Sequence, residues 1–373
     1  LHAKKLITAG LPMIAVTYGL ARFSYGLMLP YLIETLALTP ATSGFISALS
    51  YLAYCVAIII AMICSDRLPP RAFLILAGLA ATVGLSIIAM SNHAIMLGSG
   101  LFIAGLSTGF ASPPYASIVS TQIEVNLQNQ TNAWINSGTS IGTAVTGAIA
   151  LIMSSNWRGT YVIFTGIALL VLIVNHQLLP KQATQSKKRA RLTKNEWSKS
   201  LPLISAAFLI GVSCSAYWTF SRDFLLNLAN IPLFLADWFW VIIGLAGLLG
   251  GLAGSFINKY GVRAAYTLST LILSASSLII GLYSAQTLTW LISPFMFGSA
   301  YIFMTGVLIV WGISVCRNNV ALGLGLPFLM LALGQAIGAA LSGIIAGFSS
   351  FSTLFIVSAI IGCLTLIFAP RSA

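Results

Sequence analysis

Long apolar runs alternate with short polar breaks along the whole chain. A membrane-crossing helix needs roughly 20 mostly apolar residues. Twelve runs of that order lie near 6–33, 42–65, 72–91, 94–118, 131–155, 159–179, 201–228, 238–257, 264–284, 288–315, 320–347 and 351–369. They are too long for barrel strands and lack the period-two alternation of a strand. The pattern predicts an all-α integral membrane protein with twelve transmembrane helices, numbered 1 to 12 here.

Composition removes the soluble alternative. The chain is 58% hydrophobic and 6% charged, whereas soluble domains carry about 25% charged residues. Its mean hydropathy is +0.97. Lys4 and Lys5 precede an apolar stretch of spanning length with no small-residue cleavage site after it, so the first run reads as a true span rather than a signal peptide.

A formal net charge of +12 invites a nucleic-acid partner until the charges are located. With the N-terminus inside, fifteen of the eighteen Lys and Arg fall on the inner side; the others are Arg158 outside and Arg22 and Arg222 within helices. This is the positive-inside asymmetry. It predicts two cytoplasmic termini and excludes nucleic acid as a partner. The five cysteines sit in or at the edges of predicted helices without metal-ligand spacing. They read as packing residues, and no cofactor or metal is expected.

The longest polar stretch, PKQATQSKKRARLTKNEWSKS at 180–200, divides six helices from six. The expected organisation is an N-terminal bundle at 1–179, a basic cytoplasmic linker at 180–200 that meets anionic lipid headgroups, and a C-terminal bundle at 201–373. An internal repeat supports two pseudo-symmetric halves. Asp66, Arg67 and Arg71 after helix 2 align with Asn258, Lys259 and Arg263 after helix 8. On helices 5 and 11, Gly138, Gly142 and Gly147 recur as Gly334, Gly338 and Gly343, small residues at a spacing that lets helix backbones approach closely.

Twelve helices in a 6+6 repeat, a basic central loop and an acid–basic turn after helices 2 and 8 resemble the major facilitator superfamily over essentially the whole chain. The second loop copy follows the superfamily pattern at Gly254, Lys259, Gly261 and Arg263 but carries Asn258 in place of the acid. The first copy keeps Asp66, Arg67 and Arg71 but has Met62 and Pro69 where glycines are usual. More narrowly, GLARFSYGLMLPYL is similar to the first helix of the YbfB/YjiJ-like branch. The resemblance implies that the loop residues stabilise the state closed to the cytoplasm, and that helices 1, 4, 7 and 10 line a central cavity. Ordinary topological charge is the other reading of the loop. Helix 5 lacks the Gly-Pro motif of the superfamily's drug/proton antiporters, which counts against drug efflux.

Arg22 sits in the middle of helix 1, where a charge costs ~3 kcal/mol on insertion scales. At 100° per residue it shares a face with Tyr18, Tyr25, Gly26 and Leu29. A guanidinium stays charged and suits carboxylate or phosphate. Two readings stand open: a substrate-anion contact, or a structural arginine paired to a carbonyl or to Asp223. Asp223, next to Arg222 on helix 7, is the one carboxylate expected within the membrane and the candidate for proton coupling, unless it serves an outer salt bridge. Further cavity candidates are Thr108, Ser112 and Tyr115 on helix 4, Tyr217 and Trp218 on helix 7, and Tyr301 and Thr305 on helix 10, with Gln335 and Asn136 as isolated amides.

No catalytic constellation or nucleotide loop is present, so an enzyme is not expected. The reading is a secondary active transporter that moves a small organic solute, anionic or zwitterionic, by alternating access. Its expected partners are that solute, membrane lipid and a coupling proton. It is expected to work as a monomer in a bacterial inner membrane. The alternatives are proton-coupled efflux of amphipathic drugs or metabolites, and a non-transporting membrane sensor or assembly partner.

Overall fold

The structure is a computed structural model that describes residues 3–64, 67–153, 156–179, 194–228, 232–316 and 320–370. Among the described residues it is helical, with no strand. Its apolar crossings are α1 (Ala3–Leu36), α2 (Pro40–Cys64), α3 (Pro70–Met90), α4 (Ala94–Gln122), α5 (Val125–Met153), α6 (Trp157–Leu178) and α7 (Glu196–Leu226), then a run from Phe234 to Tyr283, then α10 (Thr289–Val315), α11 (Gly325–Phe348) and α12 (Phe351–Phe368).

The run Phe234–Tyr283 has 50 residues. Straight, it would measure about 75 Å, more than twice the roughly 30 Å hydrocarbon core. It breaks at Gly261, whose φ of 83° and ψ of 164° are non-helical. The arms 234–260 and 262–283 are therefore two crossings, α8 and α9, and the total among the described residues is twelve. An even number returns the end of α12 to the side where α1 begins; this side is the terminal face below, and the other the far face. The most basic part of the predicted linker lies outside the described residues.

The repeated glycines have equivalent surroundings in the two halves. Gly138 and Gly142 of α5 abut the Leu11 and Ala15 carbonyls of α1, while Gly334 and Gly338 of α11 abut the Phe208 carbonyl and Val212 of α7. The third glycine of each set faces the opposite half: Gly147 meets Trp240 and Val241 of α8, and Gly343 meets Pro40 and Gly44 of α2. Without Cβ atoms these helices approach closely enough for backbone-to-backbone van der Waals contact, which drives association where no hydrophobic effect operates. One three-glycine pattern thus serves helix contacts both within each set of six helices and between the two sets.

α1 is not uniformly α-helical. Residues Ala15–Phe23 are wound as a π-helix, an uncommon geometry that recurs at functional sites. Local bonds accompany it. The Thr17 hydroxyl bonds back to the Met13 carbonyl at 3.0 Å, which bends helices. The Thr17 carbonyl accepts from the Thr108 hydroxyl of α4 at 3.1 Å, so it keeps a partner where the helical register shifts. The widened turns end beside Arg22.

Candidate functional site

Arg22 is buried, with 5% of its surface exposed. One Nη donates to the Gln335 side-chain oxygen on α11, 313 positions away and in the other half. The guanidinium carbon lies 4.6 Å from the Tyr54 ring centroid, 4.7 Å from Tyr51, 5.2 Å from Phe23 and 5.8 Å from Tyr18. Four electron-rich faces in place of water are a strong setting for cation–π attraction. Arg22 Nε is buried without an acceptor. No ion pair joins Arg22 to a carboxylate among the described residues.

Gln335 passes the connection on. Its amide nitrogen donates to Tyr301 Oη at 3.1 Å, and Tyr301 packs edge-on to Trp218 with ring centroids 5.2 Å apart. Trp218 in turn stacks on Phe23 at 3.9 Å, which closes a ring of contacts running through α1, α11, α10 and α7. The indole nitrogen of Trp218 is also buried without a partner. Tyr18 Oη bonds Ser112 Oγ of α4 at 2.9 Å.

Other predicted site residues lie apart from this cluster. The Tyr25 hydroxyl donates to the Ser43 carbonyl of α2 at 3.0 Å and does not join Arg22. Tyr25 lies past the π-helical residues; at 100° per residue it stands about 60° around the helix from Arg22, enough for it to turn to the start of α2. The Tyr115 hydroxyl is committed to the Ala9 carbonyl and Asn175. Thr108 caps the Thr17 carbonyl, Thr305 bonds back to the Ile302 carbonyl, and Tyr217 stacks on Phe297 and bonds Ser293 at 2.8 Å. Arg22 is not paired to Asp223. That carboxylate is hydrogen-bonded with Asn227 in the last turns of α7.

Arg222 fills a different role. It is 3% exposed, and its guanidinium donates to the Ala236 carbonyl of α8 at 3.1 Å, to the Leu27 carbonyl of α1, and to Tyr31 Oη at 3.4 Å. It fastens α7 to α1 and α8 near the far face.

Of the predicted gate residues, Asp66 lies outside the described residues. Arg67 is exposed, and Arg71 donates to the His176 carbonyl of α6, within its own half. Asn258, Lys259 and Arg263 are exposed, with the Lys259 ammonium 5.0 Å from the Tyr260 ring.

Tyr51 and Tyr54, two of the rings closest to Arg22, were not among the sequence candidates. In SALSYLAYCVA they read as ordinary apolar helix; their three-residue spacing puts both on one face, but the chain gives no sign of what that face meets.

A sequence profile described as Major Facilitator Superfamily matches residues 13–326. No curated protein matches this chain in sequence. Among solved structures, the nucleoside transporter NupG is similar at 12% identity and a TM-score of 0.73, over all of both chains. A POT family transporter in complex with 5-aminolevulinic acid is similar at 15% identity and a TM-score of 0.78, over 97% of this chain and 96% of that one. The xylose transporter XylE from E. coli, in a partially occluded inward open conformation, is similar at 13% identity and a TM-score of 0.76, over all of both chains.

Proposed function

The chain belongs to the Major Facilitator Superfamily, and from that premise we propose that Arg22 receives the anionic group of a small organic substrate. The protein is a multi-pass secondary active transporter of small solutes that works by alternating access, and not an enzyme. The observation that carries the anion reading is the guanidinium itself. It is buried, bonded to a neutral amide rather than a carboxylate, and its Nε has no acceptor. A buried charge without a counter-charge is costly, and a substrate anion would relieve that cost for part of the cycle.

The two units 1–179 and 201–373 rock against each other around the site at Arg22, with 180–200 as the segment that joins them. Fifteen inner Lys and Arg support a cytoplasmic terminal face, and a bacterial inner membrane and a monomeric carrier belong to the same reading. The likeness of GLARFSYGLMLPYL to the YbfB/YjiJ-like branch is part of the same reading. Asp66, Arg67 and Arg71 steady the state closed to the cytoplasm, and buried Asp223 is the group available for a coupling proton. The ring-lined surroundings of Arg22 also favour a second reading, efflux of amphipathic solutes held mainly by aromatic contact.

The experiment is thermal stabilisation of the detergent-purified protein by organic anions, amino acids, sugars and lipophilic cations, with wild type and Arg22→Gln side by side. An anion that raises Tm in wild type alone is the expected result. Equal stabilisation of both proteins by cations would sink the anion reading in favour of efflux.

A further inference from the structure

Arg22 and Gln335 belong to different halves, and alternating access moves the halves against each other. The chemistry of the neighbours fixes the amide's orientation. A guanidinium offers only donors, so the Gln335 oxygen faces Arg22 and its NH₂ is left to donate to Tyr301. Gln335 is 0% exposed. Its amide oxygen has the size and planarity of one carboxylate oxygen without the charge. A guanidinium takes two acceptors from a carboxylate, in a fork. Here one donor position holds a neutral acceptor, while Nε, buried, holds none. The fork is half filled.

We propose that Gln335 is an internal stand-in for a substrate carboxylate, holding Arg22 while the carrier is empty and displaced when a monocarboxylate takes Nε and Nη together. This rests on the reading of Arg22 as the anion site and names the class of anion. The substrate is monovalent because the cluster holds one cation. The other buried arginine among the described residues, Arg222, is committed to the Leu27 and Ala236 carbonyls. A tetrahedral phosphate dianion would call for a second cation. The displaced amide moves away with α11, still within reach of Tyr301.

The test uses purified wild type, Gln335→Ala, Gln335→Glu and Arg22→Gln, each titrated with benzoate and with hexanoate while Tm is followed. In Gln335→Ala the internal competitor is gone, and the apparent Kd is expected to fall about tenfold, the worth of one such hydrogen bond. Gln335→Glu is expected to raise Tm of the unliganded protein and abolish the anion response, because the new carboxylate pairs with Arg22 permanently; adding Arg22→Gln removes the rise. Weaker anion binding in Gln335→Ala, or wild-type binding in Gln335→Glu, with Arg22→Gln unresponsive, would make Gln335 a co-ligand or a bystander. Those results overturn the stand-in and leave the anion site intact. A response that survives in Arg22→Gln, or none in wild type, removes the anion site and the stand-in together. Should Gln335→Ala not fold, Gln335→Met fills the same space without an acceptor and gives the same readout.

Discussion

Gly26 of α1 packs directly against the Trp218 carbonyl of α7: a β-carbon at Gly26 would stand 1.8 Å from that oxygen. No side chain fits there while the two helices are together, and the obstacle is backbone rather than a movable side chain. The contact lies in the far half, where Ser47 of α2 also bonds Thr219 of α7 at 2.9 Å. Gly26→Ala is therefore expected to fold, because neither half needs this contact internally, but to hold the far face open. Maleimide labelling of a cysteine introduced at Ser47 should rise several-fold in the Gly26→Ala background, and transport should fall. Unchanged labelling would mean that the helices part without consequence for access.

Arg222 closes the same region by hydrogen bonding rather than by shape. One planar group reaches carbonyls on two helices, and an ammonium cannot span both. Arg222→Lys should lose about 2 kcal/mol of unfolding free energy, the scale of one hydrogen bond to a charged donor. Arg222→Met should lose more, since it leaves both carbonyls without this donor. Denaturant titration of the detergent-solubilised protein measures both. Equal stability of all three proteins would remove Arg222 from the account of the closed far face.

Around Arg22, ring and hydroxyl can be separated at Tyr54. Its ring centroid is 4.6 Å from the guanidinium carbon, while its hydroxyl makes only a 3.4 Å contact to Tyr18. Tyr54→Phe should thus stay close to wild type, and Tyr54→Leu should cost roughly 2 kcal/mol, the range for a desolvated cation–π pair. The same titration reads the difference. A Phe variant as unstable as the Leu variant would shift the importance from the ring to the hydroxyl.

How far the sequence could be read follows from the range of each signal. The twelve crossings were legible because each is a local run of sufficient length, and the α8–α9 turn because Lys259, Gly261 and Arg263 repeat a loop pattern. The glycine spacing was legible too, but not which helix each glycine meets. Arg22 stood out as a charge in an apolar run, while its partner is 313 residues distant and nothing local pairs them. Gln335 looked like any isolated amide. The π-helical winding of residues 15–23 leaves no mark in a hydrophobic pattern read at a fixed 100°. Tyr25, Tyr51 and Tyr54 lie outside it, on ordinary α-helix; a helical face can be read from the chain, but not which other helix it meets.

Gly261 permits a test in which packing plays no part. It is exposed, and an added β-carbon would meet no atom within 4 Å. Its φ of 83° with ψ of 164° lies in a region that is essentially glycine's alone, where other residues cost of order 1–3 kcal/mol. Gly261→Ala should therefore destabilise through the backbone only, by that amount. Gly254, also exposed and with open space around it but with no positive φ, is the control: Gly254→Ala should be neutral or slightly stabilising, since alanine suits a helix better than glycine. The pair is compared by denaturant titration. A Gly261→Ala protein as stable as Gly254→Ala would show that the chain can turn between α8 and α9 through some other conformation, and the return of the 50-residue run would then need a cause other than the glycine.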